Sequence, residues 1–525
     1  MVQGILHPES RGKVRSFFGK FADPPMAAFI QYTQKYRVQL WYLLFTALFM
    51  GVVWFATKSV NLFLFGLPLV VIFAYITITD YKYVWYGLVF LMPLSITDHE
   101  FFGSIGGLTF PTDLLCLLLL AVFVFKMVSE RTNMLTFLAH PVPILIGLQL
   151  LWLLFTSTAS YMPVVSWKAT LAATWLIAGF YLIPVTMFRN GGTQPMIRFF
   201  ELIAISFSIA FVIIMMLYMS TGRSLFGLRF NPGPFFLDHT VFGGFTATWV
   251  PIMVVLGFFT PLSSHSKFIF RSALFFFLAA LFFSYSRGAW ASCLAGLGLM
   301  GLYVMNKWVR RLVIPSLVVG FAVVVVMWYL GQGNVRAKNN AVSRKSFTEH
   351  VASITNFRTD YSNAERINRW YCAWEMWKDK PFFGYGPGTY MFVYGDYQKA
   401  SVRTPVSTNR GDNGTAHNEF LLAMSETGTL GGFLMLAYFV VPIVVGLRGF
   451  RRQVDPTLKM LYLAVSFGIV TYGIHAWVNN FLDQDKVGGT YLTALAILTA
   501  LDLYGGKPFS AKVKTKVDPP SSTES

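Results

Sequence analysis

The sequence predicts an all-α polytopic membrane protein, with a bundle of about 12–14 transmembrane helices and one long, partly helical loop on the outer side of the membrane. The 525-residue chain is 55% hydrophobic and only 13% charged, and its mean hydropathy is +0.55. A soluble chain of this length would carry about twice that charged fraction. The apolar residues also fall in long runs, so the composition excludes a soluble enzyme.

The apolar runs give the predicted membrane spans, each of about 20 residues with about 17 as the lower limit. Fourteen runs lie near residues 40–57, 61–79, 83–97, 111–128, 142–158, 169–188, 199–219, 240–260, 268–286, 288–305, 311–330, 418–447, 458–481 and 488–504. The third run is short and only a few residues separate the first two. A count of twelve spans therefore stays open.

The basic residues orient these spans. The chain has 42 Lys and Arg against 24 Asp and Glu, a net charge of +18. With the N-terminus in the cytoplasm, 24 basic residues lie in inner segments, six in short outer loops and twelve in the long loop. This bias fits the positive-inside rule, from which long loops are exempt. We therefore predict two cytoplasmic termini, and a positive charge that serves topology and contact with membrane lipids, with no nucleic-acid partner.

This topology divides the chain into five segments. A cytoplasmic tail covers residues 1–39, the first part of the bundle 40–330, the outer loop 331–417, the last part of the bundle 418–504 and a disordered cytoplasmic tail 505–525. The three cysteines, Cys116, Cys293 and Cys372, are too few for a disulfide framework. They are expected to be free thiols.

The outer loop contains a predicted amphipathic helix. Ser362-Asn363-Ala364-Glu365 fits a capping box, and Asp379-Lys380-Pro381 ends the helix. One face between them carries Ile367, Trp370, Tyr371, Trp374 and Trp377, with Arg366 at its border and Arg369 further round. Trp and Tyr on one face are typical of a helix that lies on a membrane surface, and this position leaves the Arg366 edge available for catalysis.

A glycine-rich turn follows this helix, in Phe382-Phe383-Gly384-Tyr385-Gly386-Pro387-Gly388. Alternating glycines allow a tight turn and a close approach to a ligand. A dinucleotide-binding motif is excluded, because no strand precedes the glycines and a proline interrupts them.

Several polar residues are predicted to gather at the outer face. Arg223 and Arg229 lie in the loop after the seventh run, Arg287 in the hairpin between the ninth and tenth, and His417 at the start of the twelfth. Basic residues are disfavoured in short outer loops, so those present need a reason. Snorkelling is one reason. The other is binding of an anionic group, since the planar guanidinium binds phosphate oxygens with two parallel hydrogen bonds.

His417 is the candidate general base, because imidazole titrates near neutral pH. A histidine at a helix start is more often a structural group, but the nearby arginines favour a functional role. Glu426 lies inside the twelfth run on the side opposite His417, so we expect it to support another group such as Arg287. His475 is expected to be satisfied by a neighbouring helix. No spacing of metal ligands such as His-x-x-x-His occurs, so no catalytic metal is predicted.

These residues resemble the O-antigen ligase and polymerase superfamily in an ordered set of short motifs over roughly residues 220–450. The motifs are Ser286-Arg287-Gly288-Ala289, Arg366-x-x-x-Trp370-x-x-Ala373-x-x-Met376, Asp379-Lys380-Pro381 with the glycine-rich turn, and His417-Asn418-x-x-Leu421-x-x-x-x-Glu426-x-Gly428. The stretch from Arg229 through Gly233 to Asp238-His239 resembles the loop before an earlier span of the family.

The resemblance implies transfer of a glycan from an undecaprenyl-diphosphate donor to an acceptor hydroxyl, on lipid A core or a similar glycan or glycolipid, with no cofactor. It implies that Arg229, Arg287 and Arg366 bind the diphosphate and that His417 is the catalytic base. Residues in possible supporting roles are Arg223, His239, Arg369, Asn418 and Glu426. It also implies a multi-pass protein of the bacterial inner membrane with a periplasmic active site.

Three alternatives stay open. A polymerase of the same superfamily would use the same site and take a growing glycan as its acceptor. A flippase or transporter of a lipid-linked sugar would need internal repeats and ionisable residues near the bilayer midplane, whereas most polar candidates lie at the outer face. A docking module for another membrane protein would use the Trp and Tyr face of the loop helix but gives no role to the outer arginines.

Overall fold

The computed structural model describes residues 50–51, 80–97, 109–130, 134–222, 230–311, 313–315, 361–398 and 414–505. The chain forms two compact units, Met1–Thr79 and Asp80–Ser525. All elements below belong to the second unit. The two predicted tails, apart from residue 505, lie outside the described residues.

The described part of the second unit is almost entirely helical. Its helices are α1 (80–91), α2 (Thr112–Glu130), α3 (Pro141–Thr158), α4 (Pro163–Gly191), α5 (Thr193–Ser220), α6 (His239–Phe259), α7 (Ser264–Phe283), α8 (Arg287–Val304), α9 (Tyr361–Asp379), α10 (Tyr390–Val393), α11 (Glu419–Arg452), α12 (Pro456–His475) and α13 (Asp485–Tyr504). A short antiparallel ribbon pairs β1 (Ile96–Thr97) with β2 (Thr109–Phe110).

The fold class predicted from the sequence is confirmed. Eight of the described helices, α3 to α7 and α11 to α13, are long and apolar enough to cross a membrane. Three further predicted spans correspond to α1, α2 and α8. The runs 40–57, 61–79 and 311–330 lie largely outside the described residues, so the total of 12–14 spans stays a prediction.

One predicted boundary was wrong in a way that matters for function. The run 458–481 was predicted as a single span, but α12 ends at His475 and residues 476–484 form a folded connection to α13. The backbone N–H groups of Ala476 and Asn479 bond to carbonyl oxygens of the last helical turn. The polar pair Asn479 and Asn480 therefore lies in a connection between helices, at the end of α12 that faces the start of α11.

The bundle is centred on α6, whose residues are largely buried. Small residues allow close helix contacts there: a Cβ on Gly244 would lie 2.8 Å from His475 Nε2, and one on Gly468 would lie 2.7 Å from Ile252. Such residues are typical of helix interfaces in membranes. Phe207 and Phe277 stack across α5 and α7 with ring centroids 4.2 Å apart.

Three of the described helices depart from regular geometry, and one of them is α6, which ends in a π-helical turn at Val255–Phe259. A π-helical turn interrupts α4 at Ala178–Leu182, and the carbonyl oxygen of Gly179 accepts a hydrogen bond from Trp85 Nε1 at 3.0 Å. The long helix α11 is broken at Gly428, where φ is 73°. The three cysteines are free and buried, as the sequence predicted.

Candidate active site

The described part of the outer loop has its own small hydrophobic core. Its buried residues come from α9, the turn after it, α10 and the segment before α11: Cys372, Ala373, Met376, Tyr385, Tyr390, Val393, Tyr394 and Ala416. Tyr390 and Tyr394 stack with centroids 5.2 Å apart, and the Tyr390 hydroxyl donates to the backbone oxygen of Arg369 at 2.8 Å. This core fixes α9 against the start of α11.

The helix α9 covers residues 361–379, as predicted, but its aromatic face is divided between two environments. Trp370 Nε1 donates to the backbone oxygen of His417 at 3.2 Å, and Trp377 Nε1 donates to a threonine hydroxyl of α11 at 3.0 Å. Ile367 and Trp374 are 50% and 42% exposed. Contact of these two exposed side chains with a membrane surface stays a prediction. Trp370 and Trp377 instead form hydrogen bonds within the protein.

The glycine-rich turn packs against the break in α11. Gly384, Gly386 and Gly388 all have positive φ, at 64°, 110° and 74°. A Cβ on Gly386 would overlap Ser160 Oγ in the turn between α3 and α4, and one on Gly384 would overlap the backbone of Glu426. These two glycines thus allow a close approach to the protein backbone and to Ser160, and not to a ligand as the sequence suggested.

Glu426 holds this turn in place. Its Oε2 accepts the backbone N–H of Gly388 and its Oε1 accepts that of Tyr390, both at 2.9 Å. The backbone oxygen of Glu426 accepts the N–H of Gly386 at 2.7 Å. The sequence suggested that Glu426 supports Arg287. Both carboxylate oxygens of Glu426 bind the glycine-rich turn instead.

His417 is held from two sides just before α11. Asn418 is the N-cap of α11: its Oδ1 accepts the N–H groups of Phe420 and Leu421, and its Nδ2 donates to the backbone oxygen of Trp477 at 2.9 Å. On the other side, α9 binds the same segment through Trp370. His417 itself adopts φ 50°, a left-handed conformation that is uncommon for a non-glycine residue and that concentrates at functional sites.

The His417 ring lies in an environment that keeps it neutral. Burial, and then the positive charges of Arg366 and Arg369, lower the pKa of His417 to about 3. Asp238 and the Asn479 side chain oppose this change only in part. The buried atoms His417 Nδ1 and Asn479 Oδ1 form no hydrogen bond of normal geometry. A neutral imidazole is the protonation state that a general base needs.

Asn479 lies close to both His417 and His475. Its Nδ2 lies 3.0 Å from His475 Nε2, and His475 Nδ1 lies 3.4 Å from Ser292 Oγ on α8. His475 was expected to be satisfied by a neighbouring helix, and Ser292 on α8 is such a partner. Asn479 was not predicted to have a role, because it lies inside a run predicted as a membrane span.

The two arginines of α9 have different surroundings. Arg369 is buried, its Nε donates to Glu365 Oε1 at 2.8 Å, and its Nη1 donates to the backbone oxygen of Thr415 at 3.0 Å. Arg366 is partly exposed and acts electrostatically on both His417 and His475. The contacts of Arg369 therefore indicate a structural role, while Arg366 lies close enough to act on both histidines electrostatically.

Arg287 lies at the same corner of the bundle. It is the first residue of α8, next to the N-cap Ser286. A Cβ on its neighbour Gly288 would lie 3.2 Å from Val478 and 3.7 Å from His475 Cε1. The start of α8 thus packs directly against the connection that carries Asn479.

The start of α6 is also near His417. Asp238 is the N-cap of α6, with its Oδ1 accepting the N–H groups of Thr240 and Val241, and it acts electrostatically on His417. His239 follows as an exposed residue. Arg223 and Arg229 lie in residues 223–229, outside the described residues, so their predicted role in phosphate binding stays a prediction.

Two acids near this corner were not found from the sequence. Glu419 is buried at the start of α11, where its Oε1 accepts the Tyr472 hydroxyl and the N–H groups of Phe481 and Leu482 at 2.7–2.9 Å. Asp483 is an exposed carboxylate on the same connection, and the surrounding protein raises its pKa. Within the part of the chain that the structure describes, no three His, Cys, Asp or Glu side chains are grouped to hold a metal ion.

The comparison with known families gives a match over this part of the chain. Residues 272–436 match the family profile described as O-antigen ligase. This match covers 165 of the 525 residues and supports membership of the O-antigen ligase superfamily. The O-antigen ligase segment runs from α7 into α11 and contains Arg287, Arg366, His417 and Glu426. The resemblance inferred from the motifs is therefore confirmed. No curated protein matches the chain significantly.

Members of the O-antigen ligase family are glycosyltransferase-like ligases or polymerases, and their substrates are lipid-linked glycans in a membrane. The described helices agree with such a multi-pass membrane enzyme.

Proposed function

We propose that this protein is an O-antigen ligase-like glycosyltransferase. In this proposal it moves a glycan from undecaprenyl diphosphate to an acceptor hydroxyl on lipid A core or a similar glycan or glycolipid, at the periplasmic face of the bacterial inner membrane. The observation that carries the proposal is the left-handed conformation of His417 near Arg366 on α9, whose charge adds to burial in lowering the pKa of the imidazole. In this arrangement His417 is the base for the acceptor hydroxyl, and Arg366 is a cation for the diphosphate of the donor.

Arginines bind the diphosphate of the donor in this proposal. Arg287 begins α8, whose Gly288 packs against Val478 and His475, and Arg366 on α9 acts electrostatically on His475. Arg229 would be a third ligand. Guanidinium groups suit this role because they stay charged when partly dehydrated and bind phosphate oxygens with two parallel hydrogen bonds.

The proposed reaction balances without a metal or cofactor. The acceptor oxygen forms a bond to the anomeric carbon, and the bond between that carbon and the diphosphate oxygen breaks with its electron pair remaining on the diphosphate. The acceptor proton passes to His417. We assign it to Nε2, because Nδ1 is a buried atom. Negative charge grows on the diphosphate as the bond breaks, so fixed arginines stabilise the transition state. By analogy with the family, we expect inversion at the anomeric carbon.

The base is tested with purified protein in liposomes that contain an undecaprenyl-diphosphate oligosaccharide and an acceptor glycolipid. We expect His417→Ala to lower kcat by about 10²–10⁴. His265→Ala is the matched control, since His265 is exposed at the start of α7. Transfer by His417→Ala at the wild-type rate would overturn the assignment of the base.

The acceptor distinguishes a ligase from a polymerase that uses the same site. A bacterial strain that lacks a ligase loses all long glycan chains from its surface, whereas one that lacks a polymerase keeps single repeat units. We expect the first pattern. Single repeat units on the surface of the deletion strain would instead assign the polymerase reaction to this site.

A further inference from the structure

A cavity separate from the candidate active site lies between α1, the end of α4 and the start of α5. Its volume is about 550 Å³. This volume falls within the range of about 300–1,000 Å³ that is typical of small-molecule sites. The cavity is lined by two cations, Lys82 and Arg198, by the amides of Asn190 and Gln194, and by Tyr83 and Tyr86.

Aromatic packing fixes the walls of this cavity. Trp85 is fully buried between α4 and α5, with its ring centroid 5.8 Å from that of Phe188 and 6.1 Å from that of Phe199. Trp85 Nε1 also donates to the backbone oxygen of Gly179. These contacts hold the three helices together directly beside the lining residues, so the cavity is preformed.

The charge of the lining is positive. Lys82 and Arg198 are both exposed, and no carboxylate lines the cavity. The nearest acids are Asp80, which accepts the backbone N–H of Lys82, and Glu201, whose Oε2 lies 3.9 Å from Arg198 Nε. Glu201 Oε1 accepts Ser266 Oγ, so this carboxylate is directed toward α7.

The cavity lies at the opposite membrane face from the candidate active site. It contacts the first turns of α5, whereas the last residue of that helix, Ser220, precedes the loop that leads to Asp238 beside His417. A helix of 28 residues spans about 40 Å. The predicted orientation makes this face cytoplasmic, where anionic phospholipids are exposed to basic side chains.

We propose that this cavity binds the phosphate-bearing head group of an anionic phospholipid from the cytoplasmic leaflet. Basic pockets between transmembrane helices on this side of the membrane are suited to such head groups. Lys82 and Arg198 bind the phosphate, while Asn190 and Gln194 bind the glycerol hydroxyls. Tyr83, which is 70% exposed, extends from the same wall toward the lipid. The site is independent of the glycosyl transfer proposed above.

The test uses the full-length protein in a non-ionic detergent and measures its thermal unfolding. Added phosphatidylglycerol is compared with phosphatidylcholine of the same acyl chains, and with soluble glycerol phosphate and inorganic phosphate. We expect phosphatidylglycerol alone to raise the Tm of the wild-type protein. In the double variant Lys82→Gln/Arg198→Gln, the apparent affinity for phosphatidylglycerol should fall about tenfold to thirtyfold, since each cation contributes to head-group binding.

The matched control is Lys307→Gln/Arg311→Gln, which removes the same charge from exposed residues of the same predicted face outside the cavity. It should respond to lipid like the wild-type protein. Should the double variant not fold, Lys82→Gln alone carries the test. The proposal is overturned if phosphatidylcholine stabilises equally, or if the control loses the lipid response as the cavity variant does. An equal shift from glycerol phosphate or inorganic phosphate would assign a soluble ligand in place of the lipid.

Discussion

At the scale of the residue, the charge of His417 sets the expected pH dependence. A histidine with a pKa near 3 is neutral throughout the range above about pH 5, so kcat/KM should show no acid limb from this base between pH 5 and 8. Arg366→Gln removes one positive charge, which lets the pKa of His417 rise toward the ordinary value of about 6.5. The variant should therefore lose kcat/KM on acidification at a higher pH than the wild-type protein. The pH–rate profile of glycosyl transfer, recorded for the wild-type protein and for Arg366→Gln, measures both effects.

Asp483 is a second group near this site that could give an acid limb, since its pKa is raised from the ordinary value. Asp483→Asn serves as the control: an acid limb that disappears in this variant belongs to the aspartate. A wild-type limb near pH 6.5 that survives Asp483→Asn would contradict a neutral, depressed His417.

The two arginines of α9 give the second prediction for single residues. Arg369→Gln should lower the free energy of unfolding by about 3–5 kcal/mol, because it leaves Glu365 buried without its partner. Arg366→Gln should keep the wild-type Tm and lose transfer activity. The double variant Glu365→Gln/Arg369→Gln should recover part of the stability. Thermal unfolding and transfer assays on the same preparations separate these effects, and an equal loss of Tm in both single variants would contradict the division of roles.

At the scale of the element, α9 shows which features of a helix the sequence pattern predicts and which it does not. The capping box and the Asp379-Lys380-Pro381 stop predicted both ends of the helix, since these signals are local. The pattern did not predict which face is buried. Cys372, Ala373 and Met376 pack inward because Tyr390 and Tyr394 return from a distant part of the loop to cover them. Such partners are fixed by tertiary contacts, which periodicity does not contain.

The glycine-rich turn gives a prediction for an element. Gly386→Ala should lower stability by more than ~2 kcal/mol, because its φ of 110° disfavours a side chain and its Cβ would overlap Ser160. Gly298→Ala on α8 is the matched control, since no atom lies within 4 Å of its Cβ position. That variant should gain about 0.5–1 kcal/mol from helix propensity. Denaturation monitored by intrinsic fluorescence compares the two, and equal Tm values would contradict the close packing of the turn.

At the scale of the whole molecule, hydropathy and charge predicted the fold class because both follow from the membrane itself. His417 and Arg366 could be selected because of their residue types, and the structure places Arg366 within electrostatic range of His417. Asn479 and Glu419 could not be selected. Their significance arises only when the connection after α12 folds back over the start of α11, where Glu419 binds Phe481 and Leu482. A polar cluster at the end of a predicted span is the one local signal that the span ends earlier.

The orientation of the molecule gives the last prediction, and the proposed reaction depends on it. Cys116, Cys293 and Cys372 are buried, so the wild-type protein should react little with a membrane-impermeant maleimide. Thr221→Cys places an exposed thiol at the end of α5 that leads to the candidate active site, and Val454→Cys places one between α11 and α12, where the side chain is 89% exposed. In intact spheroplasts we expect labelling of Thr221→Cys alone, with Val454→Cys labelled only after permeabilisation, because the basic residues around α11 and α12 stay in the cytoplasm. An unlabelled cytoplasmic marker protein verifies that the cells are intact. The reverse pattern would place His417 in the cytoplasm and would contradict transfer at the periplasmic face.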